Sequence, residues 1–449
     1  MKSSQSLFSA TLSSKILFLV VLIASLFFLI DTSISYVADF LVDFNTSSIG
    51  LSLFSAIALV YAFGQLYLLK YLNQQIAPIR LRSKFVRNLF TFLKLVQYSL
   101  IVNLALVLIQ ILISANYLIV SLTYATLVSN ASSAILFGIF SLRFILWFRA
   151  SRKSFVMLLY GLAFAFLSLS EFMVSSSDTY LLTQKDFFTT AYSEVKFYDF
   201  PEGTFFGSFY DLYNYVDISA FILMLSATAI LLYQYSTNFR IIKLVVLIGL
   251  PLLSYMSGYL DTLNIYDTDT NPDLFSYYIF QALSDTSAGI LFGLSIWIVV
   301  RHLQQISIKN FMIITAYGFV LFYITNSASV TVSPYPPFGL PSLSFLPFAS
   351  ALILIGIFSA TVSLSQNITL RKSIRNILSE QRSLLLELGD AERDMKLKKM
   401  VESVMDRIAE QENSIEAESG IKSSLDTKEI QQYIHKVIAE TKKTKEGIK

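Results

Sequence analysis

Acidic side chains inside apolar segments are the residues of this sequence whose type and position best fit chemistry. Asp285 lies in the middle of the apolar run LFSYYIFQALSDTSAGILFGL, with Gln281 one helical turn before it. Asp217 opens another apolar run beside two tyrosines. Because an ionisable group inside a membrane is costly and often functional, Asp285, Gln281 and Asp217 predict an intramembrane polar site that could attract a cation. Pairing of Asp285 with another side chain among packed helices is the alternative.

Other charged residues of the apolar segments are expected to reach water. Asp31, Glu171 and Asp261 lie within a turn or two of the ends of their segments, where a carboxylate can contact the aqueous phase. Arg143 lies close to the end of its segment, and its long side chain is expected to extend to the membrane surface.

Several kinds of catalytic centre are excluded by the residue types that the chain lacks. It contains no cysteine and only two histidines, His302 and His435, so thiolate nucleophiles and histidine-rich metal centres have too few ligands. No phosphate-binding loop, HExxH, GxSxG or dinucleotide motif is present. We therefore predict no enzyme activity, no cofactor and no metal. The basic residues of segment 70–94 indicate contact with lipid headgroups rather than with nucleic acid.

The composition indicates an all-α protein with many transmembrane helices. Of its 449 residues, 54% are hydrophobic and only 14% are charged, which is typical of polytopic membrane proteins. A spanning helix needs about 20 predominantly apolar residues. That criterion predicts ten spans, at 16–34, 50–69, 95–116, 130–148, 154–174, 213–235, 242–261, 275–300, 310–329 and 345–365.

The charges of successive loops predict the orientation. Basic loops such as 70–94 and 149–153 alternate with acidic segments such as 175–212 and the loop that starts at Asp261. Positive loops stay in the cytoplasm, so both termini are predicted to be cytoplasmic in a multi-pass protein of the plasma membrane. The basic start and apolar core of the N-terminus also fit a signal peptide. No small-residue cleavage site follows clearly, so we expect a retained first helix.

The chain divides into a membrane part, 1–365, and a charged tail. Residues 366–449 carry 16 of the 34 basic and 15 of the 31 acidic residues. Within the membrane part, the aromatic and acidic segment 175–212 is expected to form an extracellular cap. The last span is expected to continue as a helix through Leu385. Gly389 and Asp390 are expected to interrupt the register between two apolar seams of the tail, the first of which ends at Leu388.

Two helical regions are predicted in the tail. Apolar residues at coiled-coil spacing predict cytoplasmic helices over 366–415, and 416–425 is predicted to be a linker. The capping box of Asp426 and Glu429 predicts an amphipathic helix over 426–443. Its apolar face, which is expected to bind a protein partner or a second copy of the chain, consists of Ile430, Tyr433, Ile434, Val437 and Ile438.

Small residues at helical spacing predict close helix packing. Gly289 and Gly293 form a GxxxG motif, and Gly356 and Ala360 lie on one face of the last span. Two sequons on the predicted outer side, at Asn45 and Asn130, are candidate glycosylation sites.

The run PYPPFGLPSLSFLPFASALILIGIFSATVSLSQNITLRKSIR resembles a group of uncharacterised multi-spanning membrane proteins of ammonia-oxidising archaea. The shared features are a PPFG turn, a last helix of small residues and an LRxxIR-type basic end. The resemblance implies an archaeal cell membrane and no known activity. From the residues we expect a non-catalytic scaffold or sensor that couples the bundle to a cytoplasmic partner. A secondary transporter or channel for a small solute is the alternative.

Overall fold

The computed structural model describes residues 4–36, 41–80, 83–151, 155–183, 205–235, 248–249, 252, 286–298, 306–328, 335–366, 387–399 and 403. These residues contain helices and short connections and no strand. The helices are α1 (Ser4–Tyr36), α2 (Val42–Thr46), α3 (Ser48–Arg80), α4 (Lys84–Ser114), α5 (Ile119–Ser151), α6 (Phe155–Thr183), α7 (Phe205–Tyr235), α8 (Thr286–Ile298), α9 (Ile306–Asn326), α10 (Leu340–Gln366) and the tail helix (387–399).

Seven of the described helices are long and apolar enough to cross a membrane: α3, α4, α5, α6, α7, α9 and α10. The apolar parts of α1 and α8 are shorter. The expected all-helical membrane class is therefore confirmed. The number of ten spans stays a prediction, because most of 242–261 and the first half of 275–300 lie outside the described residues.

The last of these helices, α10, is the centre of the bundle. Every residue from Pro336 to Val362 is buried, and α10 contacts α1, α3, α4, α5 and α9. Sequence alone does not single out this helix, because its apolar content resembles that of its neighbours. A helix that is apolar all round can be covered by lipid or by other helices, and here helices cover it.

A cluster of aromatic rings joins α5, α6 and α9 beside α10. Phe137 packs edge-on against Phe322 with 4.9 Å between ring centroids, and Phe140 lies 4.4 Å from Phe164. Phe144 continues the cluster towards the end of α5. Aromatic pairs at these distances add about 0.5–1.5 kcal/mol each to the free energy gained by burying their surface. The rings therefore hold these three helices together over several turns.

Close approach between helices occurs at the predicted small residues. A Cβ added to Gly356 on α10 would overlap Thr315 Oγ1 on α9 and lie 2.6 Å from the Phe311 carbonyl oxygen. Ala360, one turn further, is fully buried. Gly289 and Gly293 of α8 face α9, where an added Cβ would lie 2.8 Å from side-chain atoms of Tyr323 and Val320 respectively. These positions have no room for a larger side chain, as helix packing through small residues requires.

Helix lengths differ from the prediction at several ends. The helix that contains most of predicted span 95–116 begins at Lys84 and ends at Ser114, so a basic first turn precedes its apolar part. The predicted cap segment 175–212 is helical at both ends, because α6 continues to Thr183 and α7 begins at Phe205. Residues 184–204 between them lie outside the described part of the chain.

Candidate functional site

A buried carboxylate joins the first helix to the start of α10. Asp31, near the end of α1, is fully buried and accepts three hydrogen bonds from Ser342 in the first turn of α10 and from Gly339 directly before it. The donors are the Gly339 N–H at 3.0 Å, the Ser342 N–H at 3.1 Å and the Ser342 hydroxyl at 2.7 Å. The first N–H groups of a helix have no partner within the helix, so the Asp31 carboxylate caps α10 from another helix. The expectation that Asp31 reaches water is wrong.

The PPFG turn shapes this cap. Gly339 has φ 88°, a left-handed conformation that L-residues with a side chain rarely adopt. The turn also carries Tyr335, whose hydroxyl donates to the Ile111 carbonyl near the end of α4 at 3.4 Å. Partial burial raises the pKa of Tyr335 above its ordinary value, so the hydroxyl keeps the proton that it donates. The turn is thereby fixed to α1 and to α4.

At the opposite end of α10, an aromatic contact leads to the tail. Trp147 near the end of α5 is fully buried and stacks on Phe358 of α10, with 6.3 Å between ring centroids. Its indole N–H donates to Glu392 Oε2 of the tail helix at 2.8 Å. The other carboxylate oxygen of Glu392 pairs with Lys396 at 3.4 Å. One tryptophan therefore contacts both the central helix and the tail.

The tail helix packs against the bundle through one face. Leu388, Ala391 and Glu392 are buried, and Met395 packs against the same core. These positions recur every three or four residues, which is the spacing of one helical stripe. Leu388 was predicted to belong to a coiled-coil seam, but here it packs on the protein's own bundle.

The helix also runs through Gly389 without a break. Burial of neighbouring residues against the bundle outweighs the low helix propensity of glycine. The predicted interruption of the seam register at Gly389 and Asp390 stays a prediction, because most residues of both seams lie outside the described part of the chain. The predicted coiled coil stays a prediction, since residues 367–386 and 404–449 lie outside the described part of the chain.

Between the two ends, α10 is bonded to α5. The Ser350 hydroxyl lies 3.1 Å from the Ser133 hydroxyl, and it also donates to the Leu346 carbonyl.

Arg143 does not simply extend to the surface as expected. Its guanidinium lies over the ring of Phe85 at 4.8 Å and that of Phe358 at 5.4 Å from the ring centres. Such cation–π contacts stabilise by about 0.5–2 kcal/mol.

Two carboxylates lie close together between α6 and α7. Glu171 is buried, with no partner for its Oε2 atom among the described residues, and Asp217 lies within electrostatic reach of it. Asp217 accepts a hydrogen bond from the Ser170 hydroxyl at 3.3 Å. The expectation that Glu171 reaches water is wrong. No group of three or more His, Cys, Asp or Glu side chains suited to a metal ion occurs within the described residues.

Most of the other predicted site residues lie outside the described part of the chain. Asp285 and Gln281 lie outside the described residues, so their relation to Asp217 stays a prediction. The same holds for the predicted partner-binding face of Ile430, Tyr433, Ile434, Val437 and Ile438. Asn45 and Asn130 are both fully or almost fully buried. An N-linked glycan needs an exposed asparagine side chain, and neither Asn45 nor Asn130 is exposed in this packing.

Sequence reasoning missed both ends of α10 as contact sites. The sequence signals that could have indicated these contacts are an aspartate late in the apolar run of α1 and a tryptophan, one of only two in the chain, near the end of α5.

Comparison of the chain with protein-family models, with curated proteins and with solved structures finds no match. The contacts of this chain alone therefore carry the functional argument.

Proposed function

We propose that this protein is a non-catalytic membrane scaffold or sensor that couples its bundle to a cytoplasmic partner through its C-terminal helices. The observation that carries the proposal is the position of Trp147. This side chain stacks on Phe358 of α10 and donates a hydrogen bond to Glu392 of the tail helix. A shift of α10 against α5 would move the surface on which the tail helix rests.

The coupling can extend along the whole of α10. The helix is capped by Asp31 at its start, bonded to α5 at Ser350, and in contact with Trp147 near its end. A closely packed helix moves as a unit, since interiors at native density transmit displacement rather than absorb it. A change at the PPFG turn would therefore reach the tail helix through one rigid element.

We also infer the cellular setting from the charge pattern. Basic residues dominate the loops at the tail's side of the membrane, which favours cytoplasmic termini and a cell membrane location. In this setting we expect the predicted amphipathic helix 426–443 to bind a protein partner or a second copy of the chain.

A crosslinking pull-down compares three forms of the protein in their own membrane. These are the full chain, a chain ending at Arg375, and a chain ending at Leu425 that keeps the tail helix. We expect the truncation at Arg375 to lose the partners that the full chain crosslinks. The truncation at Leu425 distinguishes binding by helix 426–443 from binding by the preceding helices. An identical set of partners in all three forms would contradict the proposal.

The second candidate function is a transporter or channel for a small solute. The pair of buried Glu171 and half-buried Asp217 favours it, because carboxylates inside a membrane often line the route of a cation or proton. Proteoliposome uptake of monovalent cations, with Glu171→Gln as the comparison, tests this candidate. Uptake that depends on Glu171 and persists without the tail would favour transport over scaffolding.

A further inference from the structure

Four buried polar side chains lie on α3, α4 and α10, three helices that contact one another. They are Tyr61 and Gln65 on α3, Gln97 on α4 and Ser344 on α10, and none of them is exposed. Tyr61 and Gln65 are one helical turn apart and therefore lie on the same face of α3. The Tyr61 hydroxyl lies 3.3 Å from Gln97 Oε1 and 3.3 Å from the Ser344 carbonyl oxygen. We call these four residues the polar cluster.

Most of the hydrogen-bonding atoms in the polar cluster have no partner among the described residues. Both amide atoms of Gln65, the Nε2 atom of Gln97 and the Oγ atom of Ser344 are buried and have no hydrogen-bond partner in this part of the chain. The Tyr61 hydroxyl has one hydrogen, so it cannot fully satisfy two acceptors. Its 3.3 Å distances are also longer than an ordinary O–H···O bond, which is about 2.5–3.0 Å.

Unpaired polar atoms are expensive at this depth. Gln65 lies at the middle of α3, with about 25 Å of helix on either side at 1.5 Å per residue. The ring of Tyr61 is flanked by Phe28 and Phe345, at 6.5 and 5.9 Å between ring centroids, so its surroundings are apolar. A buried donor or acceptor without a partner costs about 1–3 kcal/mol. Four such atoms in one place call for a bound hydrogen-bonding molecule.

The ligand of this site must be neutral and small. The polar cluster contains no charged side chain, and the sequence has no Asp or Glu between Phe44 and Ser170, which covers all of α3 and α4. The cluster offers N–H donors on two amides, an acceptor on Gln65 and a hydroxyl that can do either. Phe28 and Phe345 pack 4.8 Å apart beside Tyr61, so the surrounding rings leave little room for a larger solute.

We propose that the polar cluster is an internal hydration site that binds one or a few ordered water molecules between α3, α4 and the central helix. A water molecule typically makes about three hydrogen bonds to buried polar groups. Here it accepts from an amide Nε2 and donates to Gln65 Oε1 and to Ser344 Oγ. The inference does not depend on the proposed role of the tail, because the four residues belong to α3, α4 and α10 and the argument uses no contact of the tail helix.

Hydroxyl-radical footprinting by X-ray radiolysis of the full chain in lipid nanodiscs tests the proposal. Radicals formed from a bound water modify the side chain beside it, even where bulk water has no access. We expect modification of Tyr61, and no modification of Phe140 or Phe144 in the aromatic cluster of α5. The readout is the modified fraction of each residue by mass spectrometry against X-ray dose. Absence of modification at Tyr61 in the unaltered chain would overturn the proposal.

A pair of matched variants assigns the water to the polar cluster. Gln65→Leu removes both unpaired amide atoms and is expected to lower Tyr61 modification to the level of Phe140. Gln74→Leu changes an exposed glutamine on the same helix and should leave Tyr61 modification unchanged. If Gln65→Leu leaves Tyr61 modification as in the unaltered chain, the bound water does not belong to this cluster and the proposal fails.

Discussion

Asp31 is the position where one substitution tests how the bundle is held together. Its carboxylate accepts hydrogen bonds from two N–H groups and one hydroxyl at the start of α10. Removing it by Asp31→Ala leaves two buried backbone donors without a partner. Each unpaired buried donor costs about 1–3 kcal/mol, so we expect the loss of this helix cap to cost about 2–6 kcal/mol.

Asp31→Asn separates the charge from the shape of the side chain. The asparagine keeps one oxygen acceptor but turns an NH₂ group towards an N–H donor, so we expect a loss of about 1–3 kcal/mol. The negative charge that stabilised the positive end of the α10 dipole is also lost. Ser342→Ala removes the 2.7 Å hydroxyl bond to Asp31 and the longer 3.3 Å contact with the Phe28 carbonyl oxygen, and should cost about 1 kcal/mol.

The free energy of unfolding can be measured by SDS titration in bicelles, followed by tryptophan fluorescence. Asp43→Asn is the matched control, because Asp43 is an exposed aspartate on α2, and a surface change of this kind shifts stability by at most about 0.5 kcal/mol. In a double-mutant cycle, Asp31→Asn and Ser342→Ala should be non-additive by at least about 0.5 kcal/mol. Additive effects, or an Asp31→Asn variant as stable as the unaltered chain, would refute the capping role.

Three further changes test other contacts. Gly356→Ala should destabilise by about 1–3 kcal/mol because its Cβ overlaps α9, whereas Gly64→Ala, with open space around it, should be neutral or slightly stabilising in the same titration. Ala391→Cys in this cysteine-free chain should resist maleimide labelling in micelles, and it should become reactive when combined with Trp147→Ala. Lys398→Cys, at an exposed position of the same helix, should react with and without Trp147→Ala. Rapid labelling of Ala391→Cys alone would contradict docking of the tail helix. Glu171→Gln should retain or raise thermal stability, because it removes repulsion with Asp217 from a buried site; a loss above about 1 kcal/mol would mean that the Glu171 carboxylate has a stabilising partner.

Prediction from sequence succeeded where the signal is local. Long apolar runs identified helices of membrane-spanning length, and small residues such as Gly289 and Gly356 marked positions that lie against another helix. Each of these signals depends on residue types within one segment. The ends of the helices were less well predicted, because charged turns such as the start of α4 continue a helix beyond its apolar part.

The candidate site was missed because its contacts join distant segments. Asp31 and Ser342 are 311 residues apart, and Trp147 and Glu392 are 245 apart. No periodicity within one segment indicates such pairs. Asp31 by itself fits an aspartate near the membrane surface, and Leu388 by itself fits a coiled-coil seam. Only their neighbours in the fold distinguish a helix cap from a solvated acid, and a docked helix from a free one.

The sequence by itself determined that this protein is a bundle of apolar helices with a charged tail, since composition and run length are properties of the chain alone. The tertiary structure decided which helix is central and what it touches. The physical reason is that lipid tails are as apolar as leucine, so an apolar face does not reveal whether lipid or protein will cover it. Packing therefore decides that five neighbouring helices surround α10, that Asp31 caps its start and that Trp147 contacts it near its end.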